Sequence, residues 1–364
     1  MKKLITALLF AALSLAAFAQ DKPALSFTEA TDLTIVGKVF PNTPNPYQRM
    51  DFTKYGGWDK KDINLLEMPT GIIVSFKTNS SAIYVNADFE TISNGAPAGW
   101  ASRGFDLYIK KDGKWLWAGV AAAGTNVKTE KDYNRKLVED MDDSMKDCIL
   151  YLPTYSKLKS VRIGVVEGSK IKKGDVPFRH RICLHGSSFM HGASTTRAGL
   201  TVPGYLTRMT GLQFCSLGVS GDCRMQPQFA NALKDAPVEA FVFDAFSNGS
   251  ASSVEKSLFK FIETIQSGKP GVPLIFMKTI WRERRNFNQK VDEAERLKEE
   301  MADKLMKEAV QKYKDVYYIE CTNATSEMHD TTADGTHPGD YGYYLWAASV
   351  KDAILEILAK YGIK

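Results

Sequence analysis

The chain has 364 residues, 44% hydrophobic and 24% charged, enough to bury a full core and longer than one ordinary domain. Its 27 glycines and 14 prolines follow no period, which excludes collagen-like and low-complexity classes. A formal charge of +5, dispersed along the chain, is too small for a nucleic-acid footprint, so no nucleic-acid partner is expected.

Lys2 and Lys3 precede the apolar run Leu4 to Leu15, and Ala17-Phe18-Ala19 offers the small-x-small pattern of a signal-peptidase site. The arrangement predicts a bacterial-type secretory signal peptide over residues 1–19. The run is shorter than the ~20 residues of a spanning helix. It turns polar at Gln20-Asp21-Lys22, so no stable membrane insertion is expected after cleavage. The protein is expected to be exported, periplasmic or extracellular. Its five cysteines, Cys148, Cys183, Cys215, Cys223 and Cys321, are odd in number and far apart, unlike the dense even sets of small secreted domains. They read as small buried hydrophobes. No two form a Cys-x-x-Cys and none lies at ligand spacing from a histidine, so neither metal nor cofactor is expected.

From Ser26 to about Val166 the pattern is that of strands and turns. Val74 and Phe76 alternate with Ser75 and Lys77, and Ile83, Val85 and Ala87 alternate with polar neighbours. Lys111-Asp112-Gly113-Lys114 separates two apolar-rich runs, a hairpin signal. No long helical pattern interrupts this half. Residues 20–175 are therefore expected to form an all-β, jelly-roll-like sandwich, because many short strands need two facing sheets to bury their inner faces.

The basic, loop-like stretch from Lys170 to Asp175 marks the boundary, and beyond it the pattern changes. Arg181–Leu184, Ala240–Ala245, Pro273–Thr279 and Val316–Glu320 read as continuous apolar strands, with a further short run at Phe214–Leu217. Long helical segments lie between them, Val291 to Tyr313 the clearest. A final helix is expected over Tyr341 to Tyr361, with Leu345, Ala348, Ala353, Ile354, Ile357 and Leu358 as its buried stripe. Apolar strands joined by helices indicate a parallel sheet covered on both faces, so residues 176–364 are expected to be a three-layer α/β domain.

Ligands of open parallel sheets bind beyond the carboxyl ends of the strands. The segments that follow those ends are His185-Gly186-Ser187-Ser188-Phe189, Gly218-Val219-Ser220-Gly221-Asp222, Phe246-Ser247-Asn248-Gly249 and Asp334-Gly335-Thr336-His337-Pro338. Together they offer a hydroxyl nucleophile, close-approach glycines, an amide donor and a carboxylate–imidazole pair. Each has an ordinary explanation when it stands alone: a turn glycine, a loop-capping asparagine, a turn aspartate, a structural histidine.

These segments resemble, in order, the blocks of the SGNH hydrolases, the GDSL-type esterases and lipases. Gly186-Ser187-Ser188-Phe189 stands at the Gly-Asp-Ser-Leu block, Gly221 at the second-block glycine, Asn248 at the third-block asparagine, and Asp334-x-x-His337 at the Asp-x-x-His block. Gly104-Phe105-Asp106-Leu107-Tyr108 resembles the Gly-x-Asp-Leu-Tyr signature of a β-rich domain found before some SGNH domains. Two positions depart from the pattern. Ser187 replaces the usual aspartate before the nucleophile, and Asn248 lacks the flanking glycine and aspartate of Gly-x-Asn-Asp. The resemblance implies a flavodoxin-like three-layer SGNH domain, with Ser188 as nucleophile and His337 and Asp334 as its acid–base pair. It places Ser188, Gly221 and Asn248 in the oxyanion hole. The doubled serine leaves Ser187 open as an alternative nucleophile.

The chemistry agrees with the resemblance. A serine hydroxyl needs a neighbouring imidazole to take its proton, and among the five histidines only His337 has a carboxylate three residues earlier. Exported members with a β-sandwich in front resemble carbohydrate esterases, so the expected partner is an acylated carbohydrate or another small ester. The alternatives are a glycan-binding module on a degenerate hydrolase scaffold, or a lipase or thioesterase of the same superfamily. Ile280-Trp281-Arg282-Glu283-Arg284-Arg285-Asn286-Phe287-Asn288 brings aromatic and cationic groups to the same sheet edge, where it either shapes a pocket or opens a solvated helix.

Overall fold

The structure, a computed structural model, describes residues 23–93, 98–124, 133–321 and 327–364, so the expected signal peptide lies outside the described residues. Among the described residues of the N-terminal half there are ten strands: β1 (Leu25–Glu29), β2 (Thr34–Val36), β3 (Ile73–Thr78), β4 (Ile83–Thr91), β5 (Gly104–Lys111), β6 (Lys114–Ala122), β7 (Tyr133–Val138), β8 (Lys146–Tyr151), β9 (Lys157–Val166) and β10 (Ile171–Lys173). One sheet has the order β1-β9-β4-β7 and the other β10-β3-β8-β5-β6, with β2 also paired to β3. Val74 and Phe76 of β3 and Ile83, Val85, Ala87 and Phe89 of β4 share the core between the sheets. Asp112 and Gly113 take positive φ values of 51° and 78° between β5 and β6, the backbone of a two-residue primed turn.

Residues 37–70 depart from the strand reading. They hold the short helix Lys60–Leu66, capped by the Asp59 side chain, and no strand. Val39, Phe40, Met50, Tyr55, Leu65, Leu66 and Met68 turn away from the sandwich and pack against the C-terminal half. Arg49 holds this segment down. Its guanidinium, 1% exposed, donates to Leu65 O (2.7 Å), Met68 O (2.8 Å) and Gly218 O (2.9 Å). The partners of these residues are remote in sequence, so no local period announces the packing.

Among the described residues of the second half, five parallel strands form one sheet: β11 (Arg179–Gly186), β12 (Leu212–Gly218), β13 (Ala240–Asp244), β14 (Leu274–Met277) and β15 (Val316–Ile319), in the order β12-β11-β13-β14-β15. The first strand of this half, β11, lies second in the sheet, and the order reverses there, which is the flavodoxin-like arrangement. Alternate residues face opposite layers. Cys183, Cys215, Phe241 and Phe243 meet the helices Pro227–Leu233, Ala251–Gly268 and Gln289–Lys312. Ile182, Leu184, Phe214 and Val242 meet Val202–Thr210 and Asp340–Ala359. The last helix buries Tyr343, Trp346, Ala347, Val350, Ile354, Ile357 and Leu358, whereas Leu345, Ala348 and Ala353 are only partly buried. The expected stripe was out of phase at its N-terminal end because large rings, Tyr343 and Trp346, carry the contact there.

The Gly-x-Asp-Leu-Tyr segment joins the two halves. Asp106, fully buried in β5, accepts from Arg197 Nη1 (2.7 Å), Gly199 N (3.0 Å) and Trp117 Nε1 (3.1 Å). Asp106→Ala should therefore cost about 3–5 kcal/mol in urea unfolding, because it strands the Arg197 guanidinium and the Gly199 N–H without an acceptor.

Candidate active site

β11 ends at Gly186, and the chain turns at once into the helix Ser188–His191, whose N-cap is Ser187. Two glycines allow the turn to sit against the sheet. A Cβ at Gly186 would lie 2.7 Å from Asp244 Cβ, and one at Gly218 would lie 2.2 Å from His191 N. Ser187 donates both its N–H (3.0 Å) and its hydroxyl (2.6 Å) to Asp244 Oδ2. The adjacent serine is therefore occupied, and Ser188 faces the histidine. Ser188 Oγ lies 2.8 Å from His337 Nε2, and its own N–H, at the first helical position, has no acceptor one turn earlier.

Asp334 and His337 lie in a turn between β15 and the last helix. The Asp334 carboxylate accepts from Thr336 N (2.9 Å) and His337 N (2.8 Å) at Oδ1, and from His337 Nδ1 (2.8 Å) at Oδ2. With Nδ1–H committed to Asp334, Nε2 carries the lone pair that can receive the Ser188 proton. Burial works against the Asp334 charge, but the His337 and Thr336 donors hold its carboxyl below the usual range. The His337 ring packs edge-on against Phe189, with centroids 5.5 Å apart.

Gly221 and Asn248 occupy the turns that follow β12 and β13, at the same sheet edge as Ser188. Asn248 Nδ2 is buried and has no hydrogen-bond partner, the condition of a donor aimed at an external acceptor. Gly221 has φ +65°, and its carbonyl accepts from Lys61 Nζ at 2.9 Å. Neither residue bonds directly to Ser188 or His337. The other four histidines hold structure. His185 donates to Leu217 O (2.9 Å), and burial pushes it down to about 4. His191 donates to Thr154 O (2.8 Å), while His180 and His329 pair with Glu239 and Glu283.

The model of the GDSL-like lipase/acylhydrolase family matches residues 179–355, and that of the N-terminal domain of SGNH-type esterases matches residues 25–171. A GDSL-like lipase from Bacteroides ovatus is 34% identical, with a TM-score of 0.87 over 92% of this chain and 98% of its own. The chain belongs to the GDSL-like, SGNH-type hydrolases. The salicylyl-acyltransferase SsfX3 of a tetracycline biosynthetic pathway (20% identity, TM-score 0.66, 93% of this chain and 97% of that one) shares the fold. So does a family two carbohydrate esterase from Cellvibrio japonicus (10% identity, TM-score 0.60, 93% and 99%). No curated protein matches. The protein is thus an ester hydrolase with the two-part architecture of its family.

Two residues beside the site of this GDSL-like hydrolase, Asp244 and Tyr155, belong to no motif in the sequence, and the fold shows what Arg282, of the expected aromatic and cationic segment, touches. Asp244, at the end of the otherwise apolar β13, also accepts from Ser247 Oγ, next to Asn248. A carboxylate closing an apolar strand at the carboxyl edge was its only signal. Tyr155 comes from the sandwich, stacks on His191 with centroids 4.2 Å apart, and shares a hydrogen bond with Ser220, beside Gly221. Arg282 bonds Ser247 O and lies 5.6 Å from the Phe189 ring.

Folding also assembles what spacing did not show: Asp59, Asp62 and Asp222, with ligand atoms within 4.8 Å of one another. Asp222 Oδ1 is already engaged by Arg224 Nη1 (2.6 Å) and Gln226 Nε2 (2.5 Å), which a cation would have to displace. Burial first, then the Asp222 and Asp59 charges, raise Asp62 to about 6.

These contacts make three substitutions informative. Asp244→Ala should lower both turnover and melting temperature, since it frees Ser187 and Ser247 together. Ser187→Ala should keep most turnover and lose about 1 kcal/mol with the helix cap; an inactive Ser187→Ala beside an active Ser188→Ala would reverse the assignment. The folded-state pKa of Asp62 exceeds its unfolded value, so its ionisation costs nothing where both states are protonated; the cost grows above the ordinary carboxyl range and is complete above about 6. Asp62→Asn should raise the melting temperature at pH 7.5 and leave it nearly unchanged below about 4, the range in which a carboxyl is protonated even when unfolded.

Proposed function

We propose that the protein is an exported serine esterase that removes short acyl groups, acetyl foremost, from carbohydrates. The observation that carries the reading is the continuous chain Ser188 Oγ–His337 Nε2, His337 Nδ1–Asp334, both links 2.8 Å. In this mechanism His337 takes the hydroxyl proton as Ser188 Oγ attacks the ester carbonyl, and the carbonyl π pair moves to oxygen. Asn248 Nδ2, Gly221 N and Ser188 N meet that oxyanion. Collapse breaks the acyl–oxygen bond, and His337 hands its proton to the departing alkoxide. Water, deprotonated by the same imidazole, then attacks the acyl-serine, releasing the acid and returning the proton to Ser188. Asp334, with 52% of its side chain exposed, holds the His337 tautomer and balances the imidazolium.

A complete hydrogen-bonded set argues against a degenerate scaffold. The sequence offers no amphipathic lid or long apolar run beyond its first residues, which favours small acyl groups over lipids. The carbohydrate assignment draws support from the sandwich-plus-hydrolase arrangement shared with family two carbohydrate esterases. The export assignment rests on residues 1–19.

4-Nitrophenyl acetate and butyrate should be hydrolysed faster than the decanoate, and acetylated polysaccharides should release acetate. Ser188→Ala and His337→Ala should each lose at least about 10⁴-fold in turnover. Asn248→Ala should lose about 10²–10³, and Asp334→Asn less than either triad partner. Exhaustive chelation should leave activity intact. A His337→Ala enzyme with near-wild-type turnover would return the protein to the binding-module alternative.

A further inference from the structure

Beside the Asp334–His337 turn lies an open cleft of about 350 Å³. Arg282, Arg284, Lys290 and Glu295 line it, with Asn288 and Thr336. Three cations thus face one carboxylate. That carboxylate is already shared, because Glu295 pairs with Arg282 Nη1 (3.1 Å) and with Lys298 Nζ (2.7 Å). The neighbouring Asp292 and Glu299 are taken by Arg285 (2.8 and 2.6 Å). Arg284 and Lys290 form no ion pair among the described residues and are exposed. The wall of the cleft therefore carries positive charge that the protein does not neutralise.

The cleft adjoins the turn that carries His337 through Thr336. Thr336 precedes His337 and donates its N–H to Asp334. Arg284 N donates to Gly335 O at 2.9 Å in the same turn. Arg282 reaches the other side, to Ser247 O and the Phe189 ring, the neighbours of Asn248 and Ser188. His337 must protonate the departing alkoxide, so the part of a substrate that passes its turn is the alcohol. Phe287, 98% exposed, adjoins Asn288 and offers an open apolar face beside the charges.

Resting on the esterase reading above, we propose that this cleft is a subsite for a carboxylate on the alcohol portion of the substrate, which makes acylated uronic-acid glycans the preferred class. Arg284 supplies a planar donor fork that matches a carboxylate, and Lys290 a point charge opposite it. The first turn of the helix Gln289–Lys312 adds partial positive charge at the same wall.

The test compares O-acetylated tetragalacturonate with O-acetylated galactotetraose, and calorimetric binding of the two unacetylated oligosaccharides to the Ser188→Ala protein. Two exposed charge contacts should give the acidic ester up to about a tenfold higher kcat/KM. The advantage should shrink in about 0.5 M salt and in the Arg284→Gln/Lys290→Gln double variant. A role in folding alone would lower both esters together and leave the ratio in place. Equal kcat/KM and equal binding for acidic and neutral sugars would overturn the subsite while leaving the esterase standing. A wild type inert toward every ester, 4-nitrophenyl acetate included, would overturn the esterase reading and with it the proposed substrate class. Binding of tetragalacturonate over galactotetraose would then still decide whether the cleft takes carboxylates.

Discussion

One buried carboxylate spaces the site. Asp244 closes β13, is 1% exposed, and takes three donors from two different loops: Ser187 N and Oγ on one side, Ser247 Oγ on the other. Burial pushes its carboxyl up, and the serine donors oppose that shift. The residues that follow these partners are Ser188 and Asn248, the proposed nucleophile and one proposed oxyanion donor. Their separation is thus set by a single rigid group between two neighbouring strands, and Gly186 lets that group approach because no side chain stands in the way. A serine before the nucleophile is workable here because the carboxylate comes from the neighbouring strand.

The two halves of the molecule are less separate than their patterns. Asp106 clasps Arg197 and Gly199, Tyr155 reaches Ser220, and Arg49 fastens residues 37–70 to the end of β12. All three polar groups come from the N-terminal half and act on the hydrolase half. Arg49 is bound by carbonyl oxygens, including Gly218 O, so it stabilises a strand end without adding a carboxylate near the reacting groups. Burial lowers its guanidinium to about 9, which keeps it charged at neutral pH. The sandwich therefore braces the loop that carries Gly221, and the edge strand β12 owes part of its cover to a segment over a hundred residues upstream.

Charge is distributed unevenly around the site. On the β12 side Asp59, Asp62 and Asp222 gather beneath Gly221, whereas on the β14 side Arg282, Arg284 and Lys290 gather beside Thr336. An oxyanion is better placed away from carboxylates, and here Lys61 and Arg224 both donate to Gly221 O while Arg224 also pairs with Asp222.

Much was legible in the sequence alone. Strand alternation marks the sandwich, Asp112-Gly113 marks a hairpin within it, and apolar runs mark the parallel sheet, because these depend on local periodicity and turn chemistry. The pairing of Asp334 with His337 was legible for the same reason, since three residues of one turn bring the side chains together. Tertiary structure alone decided the rest: that Ser187 is engaged by Asp244 and leaves the imidazole to Ser188, where residues 37–70 pack, the phase of the last helix, and the meeting of Asp59 and Asp62 with Asp222. Each of these depends on a partner distant in the chain, Asp244 for Ser187 and Gly218 for Arg49. A buried polar group declares its partner only when the fold has removed the water that would otherwise satisfy it.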